Sequence, residues 1–272
     1  MRLRMWQVDA FTRRVFGGNP AAVVEPMDAW PSDATLRAIA AENNLSETAF
    51  LVPEPEGSEA DFHLRWLTPT VEVELCGHAT LATGHTLRGR LGFDRERVRF
   101  RTLSGIVAVD LGGERLALDF PRVEPRRIDP PAGLVEALGA EPVEVVRDSG
   151  PRERADYLAA VFESEAAVRA VAPDFRALAG VEQGYITITG PGESSDLASR
   201  FFGPGAGIDE DPVTGSVHCL LAPYWAERLG KPELFARQVS ARGGELWCTV
   251  GGERVRIEGH AVTYMEGTIE VP

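Results

Sequence analysis

GHATLATGHTLRGR, residues 77–90, carries no Asp, Glu or Lys and no Arg before Arg88, and is built up to there from Gly, Ala, Thr, His and Leu. Wound as a helix it offers no broad polar face to water, so the stretch predicts a helix that is buried on nearly all sides. A second stretch, GSVHCLLAPYWAERLG at 215–230, repeats the opening: Gly215-Ser216-Val217 echoes Gly77-His78-Ala79, and each has a threonine close by, Thr214 and Thr80. Two helices opening this way would set two groups of free backbone N–H donors around one cleft.

Around the first of these helices the chain alternates strand and helix signals. MRLRMWQVDAF and AAVVE read as strands parted by the GGNP turn. Ser32 or Asp33 caps a helix through LRAIAAENN, with Leu36, Ile39 and Ala40 on one face. TAFLV, FHLRWLT, RVRFRT, GIVAVDL and RLALDF are further strands. The proline-dense FPRVEPRRIDPPAG then suits a linker between halves, placing a first half at 1–121 and a second at 122–259. The second half carries short strands and acidic helices, and QVSAR, ELWCTV, RVRIEG and AVTYMEGTIEV close the chain as strands. Short alternating strands suit a sheet covered on one face better than a doubly wound parallel sheet.

At 272 residues the chain has ample surface to bury, and its 44% hydrophobic and 25% charged composition is that of a globular protein. A net charge of −13 disfavours a nucleic-acid groove or an anionic membrane surface, so any acidic ligand has to be held by placed dipoles. The N-terminus lacks a signal peptide's apolar core, no apolar run reaches membrane-spanning length, and Cys76, Cys219 and Cys248 make an odd set without paired spacing. A cytoplasmic protein is expected. Lys231, the only lysine, sits in the turn-like GKPE, a poor place for Schiff-base chemistry.

Three short constellations carry candidate chemistry. In AENNLSETAFLV, strand alternation places Glu47 with Ala49 and Leu51, opposite Thr48, Phe50 and Val52. Both faces are largely apolar, and desolvation is expected to raise the Glu47 carboxyl toward neutrality, as a reversible proton carrier requires; an exposed or N–H-satisfied glutamate is the plainer alternative. In LCGHAT, Gly77 admits close backbone approach, His78 titrates near neutrality, and Cys76 is either a nucleophile at a helix N-terminus or a small buried hydrophobe. His78 and His85 share a helical face, but without an i, i+4 pair or a completing ligand no metal is expected. In GIDEDPVTGSVHC, Ser216 either caps a helix or, with Asp211 and the Gly215 and Ser216 N–H groups, meets a carboxylate. The chain has no GxSxG elbow, no P-loop and no dinucleotide fingerprint.

Taken in order, FTRRVFGGNPAAVV, AENNLSETAFLV, LRWLTPTVEVELCGHATLATGHTL, GIDEDPVTGSVH and QVSARGGELW resemble the PhzF-like family of phenazine-biosynthesis proteins, within the diaminopimelate-epimerase-like superfamily. The resemblance implies an α+β fold of two similar halves, each a curved, mostly antiparallel sheet wrapped around a central helix. It also implies a site in the cleft between them, a C-terminal strand (about 260–272) returning to the first half, and a homodimer. By motif, Glu47 is the acid/base, His78 and Asp211 orient or polarise the substrate, and Gly77, Gly215 and Ser216 hold its carboxylate. The implied activity is isomerisation of a small carboxylic acid by proton transfer, without cofactor or metal.

The superfamily's racemases and epimerases use two cysteines. Cys76 stands at the first position, but the second falls near Val213–Thr214, where there is no thiol. A two-thiol racemase is therefore disfavoured. An epimerase using Glu47 opposite His78 or Asp211, or a non-catalytic module binding a small molecule or protein, are the alternatives.

Overall fold

The structure is a computed structural model and describes residues 1–149, 157–181 and 185–271. In chain order the elements are β1 (Arg2–Ala10), β2 (Asn19–Val24), α1 (Asp33–Asn43), β3 (Glu47–Pro53), β4 (Phe62–Leu67), β5 (Glu72–Val73), α2 (Gly77–Arg90), β6 (Arg97–Thr102), β7 (Gly105–Asp110) and β8 (Leu116–Pro121). They continue with β9 (Pro125–Ile128), α3 (Leu134–Leu138), β10 (Glu144–Asp148), β11 (Leu158–Val161), α4 (Glu165–Ala170), α5 (Phe175–Leu178), β12 (Ile186–Pro191), β13 (Leu197–Gly203) and β14 (Ile208–Asp211). The last are α6 (His218–Leu229), β15 (Glu233–Gln238), β16 (Gly244–Gly251), β17 (Arg254–Gly259) and β18 (Ala261–Glu270). This is a mixed α/β chain, rich in strand and with few helices. It divides into two compact units, residues 1–119 with 258–272, and residues 120–257.

In the first unit β1 lies between β2 and β18, antiparallel to both, and β2 runs parallel to β3. β3–β4, β6–β7 and β7–β8 are antiparallel, and β4 runs parallel to β6. Helices cover β3 on both sides, and its residues alternate accordingly. Phe50 packs with Leu36, Ile39 and Ala40 of α1 in one apolar cluster, and Val52 rests against it. The Ser32 hydroxyl caps α1 by accepting from the Thr35 N–H at 3.1 Å.

The other face of β3 meets α2, which also packs on β1, β2, β7 and β18. Burial of α2 runs from Gly77 through Gly84 without a break and resumes at Thr86 and Leu87, as its uncharged sequence predicts. Three threonines are buried with it. Their hydroxyls donate to carbonyls one turn back: Thr80 to Cys76, Thr83 to Ala79 at 2.7 Å, and Thr86 to Ala82 at 3.0 Å. A buried hydroxyl is costly unless bonded, and here the helix itself supplies the acceptors. Between β1 and β2, Gly18 has φ +61°, and a Cβ there would lie 2.1 Å from the Ala10 carbonyl oxygen, so the turn admits only glycine.

In the second unit β9–β10–β11 and β12–β13–β14 are antiparallel runs, with β11 parallel to β12 and β13 parallel to β15. α6 packs against β9, β15 and β16. Pro223 lies inside α6 and has no N–H to offer the Cys219 carbonyl. That carbonyl accepts instead from the Val123 N–H at 3.1 Å, in the segment expected to be a linker.

Two local expectations need correction. QVSAR is not a strand: β15 is Glu233–Gln238 and ends where that motif begins. The chain turns there because Ser240 bonds the Pro212 carbonyl (2.7 Å) and Gly243 takes φ +65°. The last helix begins at His218 rather than Gly215. Gly215, Ser216 and Val217 form a tighter turn ahead of it, their carbonyls accepting from His218, Cys219 and Leu220, each at 3.0 Å.

Candidate active site

The residues singled out from sequence fall into two groups, one in each unit. The first forms where β3 begins and α2 begins. Strand alternation aims Glu47 at α2, and Cys76 is the residue before the helix, in extended conformation. The first-turn N–H groups of α2, beginning with Gly77, have no carbonyl partner within the helix. His78 Nε2 lies 3.1 Å from Glu47 Oε2, off the hydrogen-bonding line, so this is an ion pair without an aligned hydrogen bond. Cys76 Sγ lies 3.5 Å from His78 Nδ1. All three side chains are buried.

The expected rise of the Glu47 carboxyl does not occur. Burial alone would push it up, but the charge and proximity of His78, with polar contacts from Ser46 and Cys76, outweigh burial and hold it below its ordinary range. Burial likewise opposes charge on His78, yet Cys76 and Glu47 beside it raise its pKa well above the ordinary value. Burial first, and the Glu47 charge second, push the Cys76 thiol up to about 11. These directions favour a carboxylate on Glu47, an imidazolium on His78 and a neutral thiol on Cys76. Apolar neighbours in the sequence suggested an isolated carboxyl; the contact with His78, thirty-one positions away along the chain, reverses the direction.

The second group surrounds the turn before α6. Asp211 is buried at the end of β14, and its carboxylate accepts from the Thr214 hydroxyl. Gln238, almost wholly buried at the end of β15, donates to the Asp211 carbonyl at 2.8 Å and accepts from the Thr214 N–H at 2.9 Å. His218 Nδ1 donates to the Thr214 carbonyl at 2.9 Å; burial lowers this imidazole to about 4 and keeps it neutral. Tyr157 donates to Ser216 Oγ at 2.7 Å. Gly244 completes the packing: a Cβ there would stand 2.2 Å from a Val213 methyl carbon.

Tyr157 and Gln238 were not among the residues anticipated. Gln238 carried a readable signal, a polar side chain at an inward position of the alternating strand LFARQ. Tyr157 carried none, because only the fold brings it to Ser216. His85 does not extend the first group; its Nε2 lies 3.0 Å from the Thr263 hydroxyl. Glu47, Cys76 and His78 present ligand atoms within 4.8 Å of one another, a donor set of the kind zinc accepts. As arranged it also holds protons on His78 and Cys76, which a cation would have to displace. Among the described residues no helix is long and apolar enough to cross a membrane.

The chain as a whole matches a known family. A model of phenazine biosynthesis-like proteins (PhzC-PhzF) matches residues 8–267. An uncharacterized isomerase of Pseudomonas aeruginosa is 50% identical, with 100% of both chains covered, and one of Halalkalibacterium halodurans is 41% identical over 99% of both. Among solved structures, a PhzF-family phenazine biosynthesis protein of Enterococcus faecalis superposes with a TM-score of 0.91 at 41% identity, again over 100% of both chains. A hydroxyproline epimerase of Agrobacterium vitis, 15% identical with a TM-score of 0.59 over 98% of this chain and 91% of its own, shares the fold alone. With a family match across nearly its whole length and relatives of this similarity, the chain belongs to the phenazine biosynthesis-like PhzC-PhzF family.

Proposed function

We propose that this protein is a cofactor-independent isomerase of a small carboxylic acid, with Glu47 as its acid/base. The observation that carries the reading is the buried contact between Glu47 and His78 at the start of α2. A carbon-bound proton needs a base that is already ionised and a nearby positive charge to stabilise the carbanion it leaves. Glu47 is the ionised base, and His78 is the charge.

The Glu47 carboxylate removes a proton from one carbon of the substrate and becomes a carboxylic acid. The electron pair left behind delocalises toward the substrate's unsaturation and carboxylate, and the His78 imidazolium stabilises the developing charge. Glu47 then returns the proton to a second carbon, so a double bond moves and no atom is gained or lost. While Glu47 is neutral, His78 has lost the partner that held it, and its full charge acts on the substrate. We assign Asp211 to orienting the substrate, and the Ser216 hydroxyl and the Gly77 and Gly215 N–H groups to substrate binding. The high pKa of the Cys76 thiol supports a proton carried by Glu47 rather than by sulfur.

The test is proton–deuterium exchange followed by NMR, with a panel of small cyclic and acyclic carboxylic acids in deuterated buffer. Exchange or double-bond migration by the wild type, abolished in Glu47→Gln, is the expected result. Exchange that persists in the variant removes Glu47 from the role. Exchange at a single carbon without migration moves the activity from isomerisation to epimerisation.

A further inference from the structure

We infer that Tyr157 is a positioning residue for ligand binding: its phenol donates to Ser216 Oγ and thereby leaves the serine's own proton for a ligand carboxylate. The inference rests on the proposed role of the Ser216 turn in holding a carboxylate, and it adds a residue and a reason for that turn's polarity.

A serine immediately before a helix ordinarily serves the helix, its oxygen accepting from an N–H two or three residues on. Ser216 does not. The residue at the cap of α6 is Val217, no side chain caps that end, and the Cys219 N–H is satisfied by the Ser216 backbone carbonyl. The side-chain oxygen takes the Tyr157 proton instead, at 2.7 Å. A hydroxyl has one proton and two lone pairs, so an oxygen that accepts from a neighbour keeps its own proton to give. Among the described residues no acceptor takes it. Ser216 is half-buried, so that proton remains within reach of a small molecule.

The direction of the bond is set by its geometry, with the Tyr157 hydroxyl donating and Ser216 Oγ accepting. Burial pushes the Tyr157 phenol above its ordinary range, so the phenol keeps the proton it donates. Its ring is held by neighbours: Phe201 meets it edge-on at 6.3 Å between centroids, and Tyr185 stacks on Phe201 at 6.0 Å. Phe201 in turn pairs in register with Asp211, so the ring cluster and the polar turn share one piece of sheet. The result is a serine donor fixed in advance, which loses less freedom on binding than a free rotor would.

The experiment is a double-mutant cycle on carboxylate binding. Benzoate and, separately, cyclohexanecarboxylate are titrated by ligand-observed NMR into wild type, Tyr157→Phe, Ser216→Ala and the double variant, with thermal unfolding recorded for each. Tyr157→Phe should weaken binding about fivefold, the worth of one hydrogen bond. It should have no further effect in the Ser216→Ala background. The same loss in both backgrounds would make Tyr157 a general support of the fold and overturn the inference. So would unchanged affinity in Tyr157→Phe, or no binding of either acid by the wild type. Binding that follows the expected pattern while no acid shows Glu47-dependent exchange would sink the isomerase reading and leave this inference standing.

Discussion

His78 Nε2 stands 3.1 Å from Glu47 Oε2, with the two side chains only 7% and 10% exposed. Each group changes the other's proton affinity, and burial opposes the charge on both. Removing His78 should therefore do more than delete a contact. In His78→Gln, burial acts on Glu47 against only the polar contacts of Ser46 and Cys76, and its carboxyl should titrate above its wild-type value. Side-chain carbon NMR on glutamate-labelled protein reads this directly. An unpartnered buried charge also costs stability, about 3 kcal/mol, in denaturant unfolding. A Glu47 resonance that titrates as in the wild type would show that His78 is not the group that holds it down.

The same pair gives stability a defined pH window. Glu47 is lowered from an ordinary 4.5, so its contribution is complete above that pH and is lost as pH falls through the folded value. His78 is raised from an ordinary 6.5, so its contribution is complete below that pH and is lost as pH rises through the folded value. The full contribution lies between pH 4.5 and 6.5. Unfolding midpoints of wild type minus Glu47→Gln/His78→Gln, measured against pH, should form a plateau there and decline on both sides. A difference that does not vary with pH contradicts the pairing.

Cys76, Cys219 and Cys248 are all buried, and Cys76 is pushed up to about 11. A thiol that is both inaccessible and protonated is a poor nucleophile. In native protein at pH 8, a disulfide reagent such as DTNB should find no fast-reacting thiol; after denaturation it should find all three cysteines. Rapid native modification mapped to Cys76 would show the thiol to be far more available than its surroundings allow.

Gly244 and Val213 form a steric pair beneath the Thr214–Ser216 turn, since a Cβ at Gly244 would meet a Val213 methyl carbon at 2.2 Å. Gly244→Ala should destabilise the protein by about 1–3 kcal/mol, the usual cost of an overpacked site. Adding Val213→Ala should return part of that loss, because it removes the methyl groups in conflict. Thermal unfolding of the two single variants and the double variant checks this; strictly additive losses would exclude the clash.

How much of this could be read in the sequence differs from element to element. The burial of α2 was legible because its composition offers no broad polar face, and the alternation of β3 was legible because both its faces meet helices. The direction of the Glu47 shift was not. Local neighbours report burial, while the charge that overcomes it comes from another element. The start of α6 was misread because Gly215-Ser216 has the chemistry of a cap, whereas the chain uses it for a tighter turn and leaves Val217 at the cap. QVSAR has strand composition, but the side chains of Gln238 and Ser240 are committed to the Asp211–Thr214 segment, and the backbone turns away. In each of these cases the missing information was a tertiary partner.

The substitution of a linker amide for the one that Pro223 lacks also bears on local opening. Most helical carbonyls recover their partner as soon as the neighbouring turn re-forms. The Cys219 carbonyl recovers its own only when Val123 is back in place. Re-forming the turns of α6 does not by itself restore that bond; the segment before β9 has to dock as well. The Val123 amide should thus exchange with solvent on the timescale of large-scale opening of the second unit, more slowly than its place in an irregular segment suggests. One backbone proton would then serve as a marker of whether this unit opens in parts or as a whole.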